Sequence, residues 1–304
     1  MGRLGSGLAL ATAAMTFVLI LFGGLVTNTG AALAVPDWPT TFGHNMFFYP
    51  WSAMVGGIFY EHSHRLLGAL VGVLTVALAA VLWTRGGLVR GLGLLAVAAV
   101  IVQGVLGGLR VVMLQDTLAI VHGCLAQAFF ALVVVLAALT SRVAEAPGLA
   151  PDASLRGLTL IAVGVVYLQI VLGALLTHAG RIDLHLVGAV AVFVLLPVVT
   201  ARWRRGGDPM GVPVARALLV ILGLQLLLGV GAFLARFSSF ALPGGQLTML
   251  ALPVAHRLVG SLILAGTVVL AVRALVARPA GTPARSADPV MAGPVLADGA
   301  RSPR

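Results

Sequence analysis

Eight runs of mostly apolar residues, each about the 20 residues a helix needs to cross a bilayer, dominate this sequence. They lie near 8–27, 52–83 (the membrane part starting close to Glu61), 88–109, 117–140, 155–177, 185–202, 213–236 and 249–276. Of 304 residues 60% are hydrophobic and 9% charged, and the mean hydropathy is +1.09, outside the range of a soluble globular domain. The chain is therefore read as an all-α polytopic membrane protein.

Charge sets the expected topology. A net charge of +10 would suit nucleic acid if it formed one patch, but all nineteen basic residues are arginines and they sort by loop. Arg85 and Arg90, Arg142 and Arg156, Arg202, Arg204, Arg205 and Arg216, and the tail from Arg273 onward share one set of ends, which the positive-inside rule assigns to the cytoplasm. Both termini are expected there, with the chain in the cell (inner or plasma) membrane and no nucleic-acid partner. Ala32-Leu33-Ala34 resembles a signal-peptide cleavage site, but the apolar run before it is longer than a signal core and fills the first place in a fourfold repeat. Cys124 is alone and forms no intrachain disulfide. Residues 278–304, rich in Pro, Ala, Gly and Arg, read as a disordered cytoplasmic tail.

The repeat is helix, outer loop, histidine-bearing helix. Gln103-x-x-x-Gly107, Gln169-x-x-x-Gly173 and Gln225-x-x-x-Gly229 recur near the outer ends of odd-numbered segments, and the first segment has Gly23-Gly24 without the glutamine. Two units make a four-helix bundle, so the chain divides into two pseudo-symmetric four-helix bundles, 1–145 and 146–277. Glutamine and glycine four apart suit close helix packing or room for a flat macrocycle, and the spacing supports both.

His64, His122, His185 and His256 sit near the starts of every second segment, 16 to 19 residues from the cytoplasmic ends. At 1.5 Å per residue that is roughly 24 to 28 Å, placing all four at one level near the outer face. An ionisable side chain at hydrocarbon depth is costly unless it faces the bundle interior and finds a partner. Neutral imidazole is the commonest axial ligand to haem iron, two per iron, so four histidines point to two haem sites. One ligand per helix, all on one side, disfavours electron conduction across the membrane.

Glu61-x-x-His64-Arg65-Leu-Leu-Gly68, the preceding Pro36-Asp37-Trp38-Pro39, His122-Gly123, His185-Leu-Val-Gly188 and His256-Arg257-Leu-Val-Gly260 resemble the haem A synthase family through all eight spans. The resemblance implies an enzyme that oxidises a methyl group of haem O to a formyl group, making haem A for cytochrome oxidase. It implies that His64 and His122 flank the substrate haem in the N-terminal bundle. His185 and His256 would be the axial ligands of a permanent haem B in the C-terminal bundle, and Glu61 the family's essential carboxylate. Several members carry a cysteine pair in the first outer loop. Val35 and Thr41 stand at those places, which assigns this chain to a cysteine-free subgroup.

Glu61, three residues before His64, shares its helix face, and would stabilise positive charge on the reacting methyl carbon or act as base toward a water. The plainer alternative is an ion-pair partner at the helix start. Arg65, Arg110, Arg181, Arg236 and Arg257 depart from the cytoplasmic bias and are expected to clamp haem propionates. His44, His62 and His178 line the outer entrance or lie at the interface, Cys124 packs as a small apolar residue, and Pro36 to Pro39 fix the loop over the first bundle with Trp38 at headgroup level. Haem B is read as an electron relay. Candidate partners are haem O, a haem O synthase, an unidentified electron acceptor, membrane lipid and a second copy of the chain. Two other classes fit the ligands: a membrane haem-handling or transport protein, and a di-haem b-type electron-transfer protein.

Overall fold

The computed structural model describes residues 2–148, 151–240 and 242–277. Among them the chain is almost wholly helical: α1 (Gly2–Asn28), α2 (Gly57–Leu82), α3 (Gly87–Met113), α4 (Asp116–Leu139), a one-turn α5 (Arg142–Glu145), α6 (Ala153–Ala179), α7 (Ile182–Gly206), α8 (Gly211–Phe237) and α9 (Gly245–Val276). Eight of these are long and apolar enough to cross a membrane, and no strand is present among the described residues. The expected tail, 278–304, lies outside them.

Two boundaries differ from the hydropathy reading. Residues 52–56 belong to the first loop, because Trp51–Ala53 forms a separate 3-10 turn and Gly56, at φ 56° and ψ −128°, takes a conformation that side chains oppose. Apolarity cannot register that break. Helix α9 starts eleven residues before His256, so this histidine lies well inside its helix rather than near the start.

Helices α1 to α4 form a ring in which each packs on the next and α4 returns to α1; α6 to α9 form a second ring in the same order. The rings meet where α4 lies against α6 and α9 and where α1 lies against α9. A core of Phe130, Leu196, Trp203, Leu218 and Leu264 spans that junction, and Leu78, Leu82, Val133 and Leu136 fill the first ring. Large apolar side chains such as Val220, Leu227 and Val73 face outward, as lipid-facing helices require.

At the end opposite the histidines, buried Arg273 joins three segments. Its guanidinium donates to the Asp208 carboxylate (2.9 Å) and to the carbonyls of Val143 (2.9 Å) and Ala146 (2.7 Å). Asp208 also accepts from the Gly211 amide at the start of α8 (2.7 Å). Gly148 passes so close to this pair that a Cβ there would collide with both side chains.

Candidate functional site

The four histidines meet as two pairs. The rings of His64 and His122 have centroids 6.5 Å apart at 75°, and those of His185 and His256 lie 6.2 Å apart at 73°. Each ring rests on a glycine of the preceding long helix. A Cβ would stand 3.2 Å from His64 Cε1 at Gly23, 3.2 Å from His122 at Gly107, 3.3 Å from His185 at Gly173 and 3.0 Å from His256 at Gly229. The recurring glycine therefore admits an imidazole edge against bare backbone, which decides the meaning of a spacing that sequence left open.

The glutamine of the same phrase holds the histidine from one turn away. Gln103 Nε2 donates to the His122 carbonyl (3.2 Å), Gln169 Nε2 to the His185 carbonyl (3.0 Å) while lying 3.2 Å from its Nδ1, and Gln225 Nε2 lies 3.3 Å from His256 Nε2. In the first repeat Leu19 stands four residues before Gly23 and offers no such bond. The Nδ1 atoms of His64, His122 and His256, and the Oε1 atoms of all three glutamines, are buried without a hydrogen-bond partner. A polar atom left in that state costs about 1–3 kcal/mol, so the same orphan on three related histidines marks a site fitted to a ligand.

Chemistry narrows what that ligand is. Among the described residues no three His, Cys, Asp or Glu side chains converge as a bare ion would need. Each pair offers two nitrogens, so the remaining ligands must arrive with the metal, as in a porphyrin. With imidazole nitrogen–metal bonds of about 2 Å, rings on opposite sides of one metal have centroids about 6 Å apart, which both pairs match. The residues present thus fit an iron porphyrin.

A folded loop, residues 29–56, covers the first pair. Buried Glu61 accepts from Arg65 Nη2 through Oε1 (2.7 Å) and from the Val35 amide through Oε2 (3.0 Å). Arg65 spends its other donors on the carbonyls of Asp37 (2.7 Å), Thr40 (2.9 Å) and Val35 (3.0 Å). Asp37 turns the loop by accepting from the amides of Phe42 (2.8 Å) and Gly43 (2.9 Å) and from the Thr40 hydroxyl. Burial opposes the Asp37 charge, but the Gly43 amide, the Thr40 hydroxyl and the Phe42 amide outweigh it and hold its pKa at about 2. The Trp38 ring packs directly on Gly108, where no Cβ would fit, next to the glycine that seats His122. His62 faces the loop instead, its Nδ1 3.1 Å from the Thr41 hydroxyl and its ring 5.2 Å from Tyr49.

The five arginines differ in their present partners. Arg65 is committed to the loop, and Arg181 pairs with Asp183 (2.8 Å) on the surface. Arg236 donates to Asn28 of α1 (2.8 Å), and Arg257 Nη1 would lie 3.5 Å from a Cβ on Gly24 of the same helix. The guanidinium groups of Arg110 and Arg257 make no hydrogen bond or ion pair among the described residues. Sequence reasoning missed one further link: the Tyr167 hydroxyl of α6 donates to the Cys124 carbonyl (3.1 Å), two residues past His122.

Comparison with known proteins bears on this arrangement. The COX15-CtaA family model, described as cytochrome oxidase assembly protein, matches residues 6–183. The chain is 33% identical over 178 residues to the Heme A synthase of Staphylococcus haemolyticus, and 34% identical over 214 residues to the Heme A synthase of Beijerinckia indica. Each match covers 56% of this chain and 57% of the relative, so the chain spans little more than half the length of these curated relatives.

Proposed function

Because the chain belongs to the COX15-CtaA family of cytochrome oxidase assembly proteins, we propose that it acts as a haem A synthase, an oxidoreductase converting a methyl group of haem O to a formyl group. The observation that carries this reading is the pair of facing imidazole pairs, each ring seated on its own glycine. In the proposal His64 and His122 hold the substrate haem in the N-terminal bundle, and His185 and His256 hold haem B in the C-terminal one. Bound there, haem B would supply a one-electron relay.

Two successive oxidations, each adding the oxygen of a water and releasing two electrons and two protons, take the substrate methyl to an alcohol and then to a hydrated aldehyde that loses water. Four electrons leave for an acceptor outside the chain. The chain's own contribution centres on Glu61. Each of its oxygens accepts one hydrogen bond and keeps further acceptor capacity, so the carboxylate can stabilise positive charge on the reacting carbon or take a proton from water. Arg65 holds it in place, while the loop excludes bulk water from the first pair. Arg110 and Arg257, with uncommitted guanidinium groups, are the readiest of the five arginines to meet propionates; Arg65, Arg181 and Arg236 would share theirs with present partners.

The chain is proposed to lie in the cell membrane with both termini cytoplasmic and the histidine end outward, served by a haem O synthase. The test is chromatography of haems extracted from protein made in cells that supply haem O. Haem A from the unaltered chain, lost in Glu61→Ala while haem B remains, supports the assignment. Haem B alone, indifferent to Glu61, would replace it with a carrier or electron-transfer role.

A further inference from the structure

The first loop carries a surface that this reaction does not use. From Trp38 to Tyr60 there is no Asp, Glu, Lys or Arg. Its exposed side chains nevertheless include large apolar ones: Phe47 is 62% exposed, Phe48 82%, Trp51 76% and Val55 66%. Contiguous apolar patches of this kind mark a surface that is covered in use.

The segment is folded, so these side chains are presented rather than left loose. Tyr49 packs against Phe42, His44 and His62, and Asn45 Oδ1 takes up the Phe47 amide (2.9 Å). No Asp, Glu, Lys or Arg in the patch would specify a protein partner. Its continuation does specify an environment. The Trp51–Ala53 turn leads through Val55 into α2, where exposed Phe59, Leu70 and Val73 fall on one side at helical spacing. That side faces hydrocarbon, and the loop prolongs it with no charged residue and only the small hydroxyl side chain of Ser52 exposed between Trp51 and Val55. Trp, Tyr and other amphipathic rings are the residues that settle at the boundary between headgroups and acyl chains.

We propose that the loop tip formed by Phe47, Phe48, Trp51 and Val55 is immersed in the bilayer interface at the histidine end, so that the cover of the first histidine pair is docked on lipid and does not stand in water. The occupant is the phospholipid boundary itself. Because Arg65 and Trp38 fix the same loop to α2 and α3, immersion ties the cover to the membrane plane.

The test uses full-length chain reconstituted in phosphatidylcholine vesicles, with Cys124→Ser removing the one native thiol and a nitroxide placed at Phe48→Cys. Trp51→Cys serves as a second position should the first misfold, and Glu145→Cys, exposed on α5, as a water reference. Collision with dissolved oxygen is compared with collision with a water-soluble nickel chelate. An oxygen-to-nickel ratio several-fold above that at Glu145→Cys is the expected result. A ratio equal to the reference places the tip in water and overturns the proposal. Low collision with both reagents means that protein, from another chain or a second copy, covers the tip, and overturns it equally. None of these readings depends on haem or on turnover.

Discussion

The two histidine pairs share a seat and differ in everything around it. All four rings rest on glycine, so ring position is set by helix packing that the repeat copies. Around the second pair, glutamine amides reach both rings directly, and the chain returns between α6 and α7 through Gly180 and Arg181 alone. Around the first pair, the one glutamine reaches only a backbone carbonyl, and a long loop latched by Glu61 and Arg65 lies on top. A site whose rings are both pinned by side-chain amides suits a group that stays. One held loosely under a latched cover suits a group that enters and leaves. The shared glycine seats thus supply the scaffold, and the differences around them supply the proposed division of labour.

Replacing single ligands should test that contrast most severely. His256→Ala is expected to remove haem B and leave the first pair able to bind haem O, whereas His64→Ala should keep haem B and abolish haem A; quantifying extracted haems decides. If either variant empties both sites, the pairs are one cooperative unit and the contrast fails. Next come the two buried arginine–carboxylate pairs. Arg273→Met leaves Asp208 buried and uncompensated and should cost about 3–5 kcal/mol, read as a lower thermal midpoint for the whole protein in detergent. Arg65→Met leaves buried Glu61 uncompensated in the same way and should release the loop, seen as faster hydrogen exchange over residues 35–43 together with a lower midpoint.

Smaller effects sharpen the comparison. Gly229→Ala crowds His256 at 3.0 Å and Gly173→Ala crowds His185 at 3.3 Å, so the first should cost more, within the roughly 1–3 kcal/mol of an overpacked site. The fraction of haem B retained through purification gives the order. The smallest effect is on pH. Asp37 falls from an ordinary 3.8 to about 2 in the fold, so its support for the loop is complete above the first value and lost as pH falls through the second. Exchange of the Phe42 and Gly43 amides, corrected for intrinsic rates, should show constant protection from pH 8 to 5 and declining protection only below about 4.

The membrane helices were legible because twenty apolar residues in a row leave few alternatives, and the pairing of His64 with His122 and of His185 with His256 followed from the repeat. The start of α2 was not legible: residues 52–56 are apolar, and what ends the loop is the backbone of Gly56. The loop contacts of Arg65 were hidden for a geometric reason. Standing next to His64 it invited a haem-edge role, but consecutive helical side chains diverge by about 100°, and Arg65 turns to the loop. The available signal was Glu61 four residues earlier, the spacing of an intrahelical ion pair. For Glu61 both readings meet in one residue, since its ion pair is observed and its chemistry is proposed.

The contact of α1 with α9 has a consequence for biogenesis. Of the described helices α1 is synthesised first and α9 last, yet Arg257 of α9 lies on Gly24, beside the glycine that seats His64, and Arg236 of α8 reaches Asn28 across 208 positions of sequence. A nascent chain that has inserted α1 to α4 can close its first ring while one flank of α1 still faces lipid. The wall nearest His64 is finished only when the latest-made helix arrives. Haem that reaches the first pair before then meets an open flank, whereas haem that arrives afterward meets a completed seam.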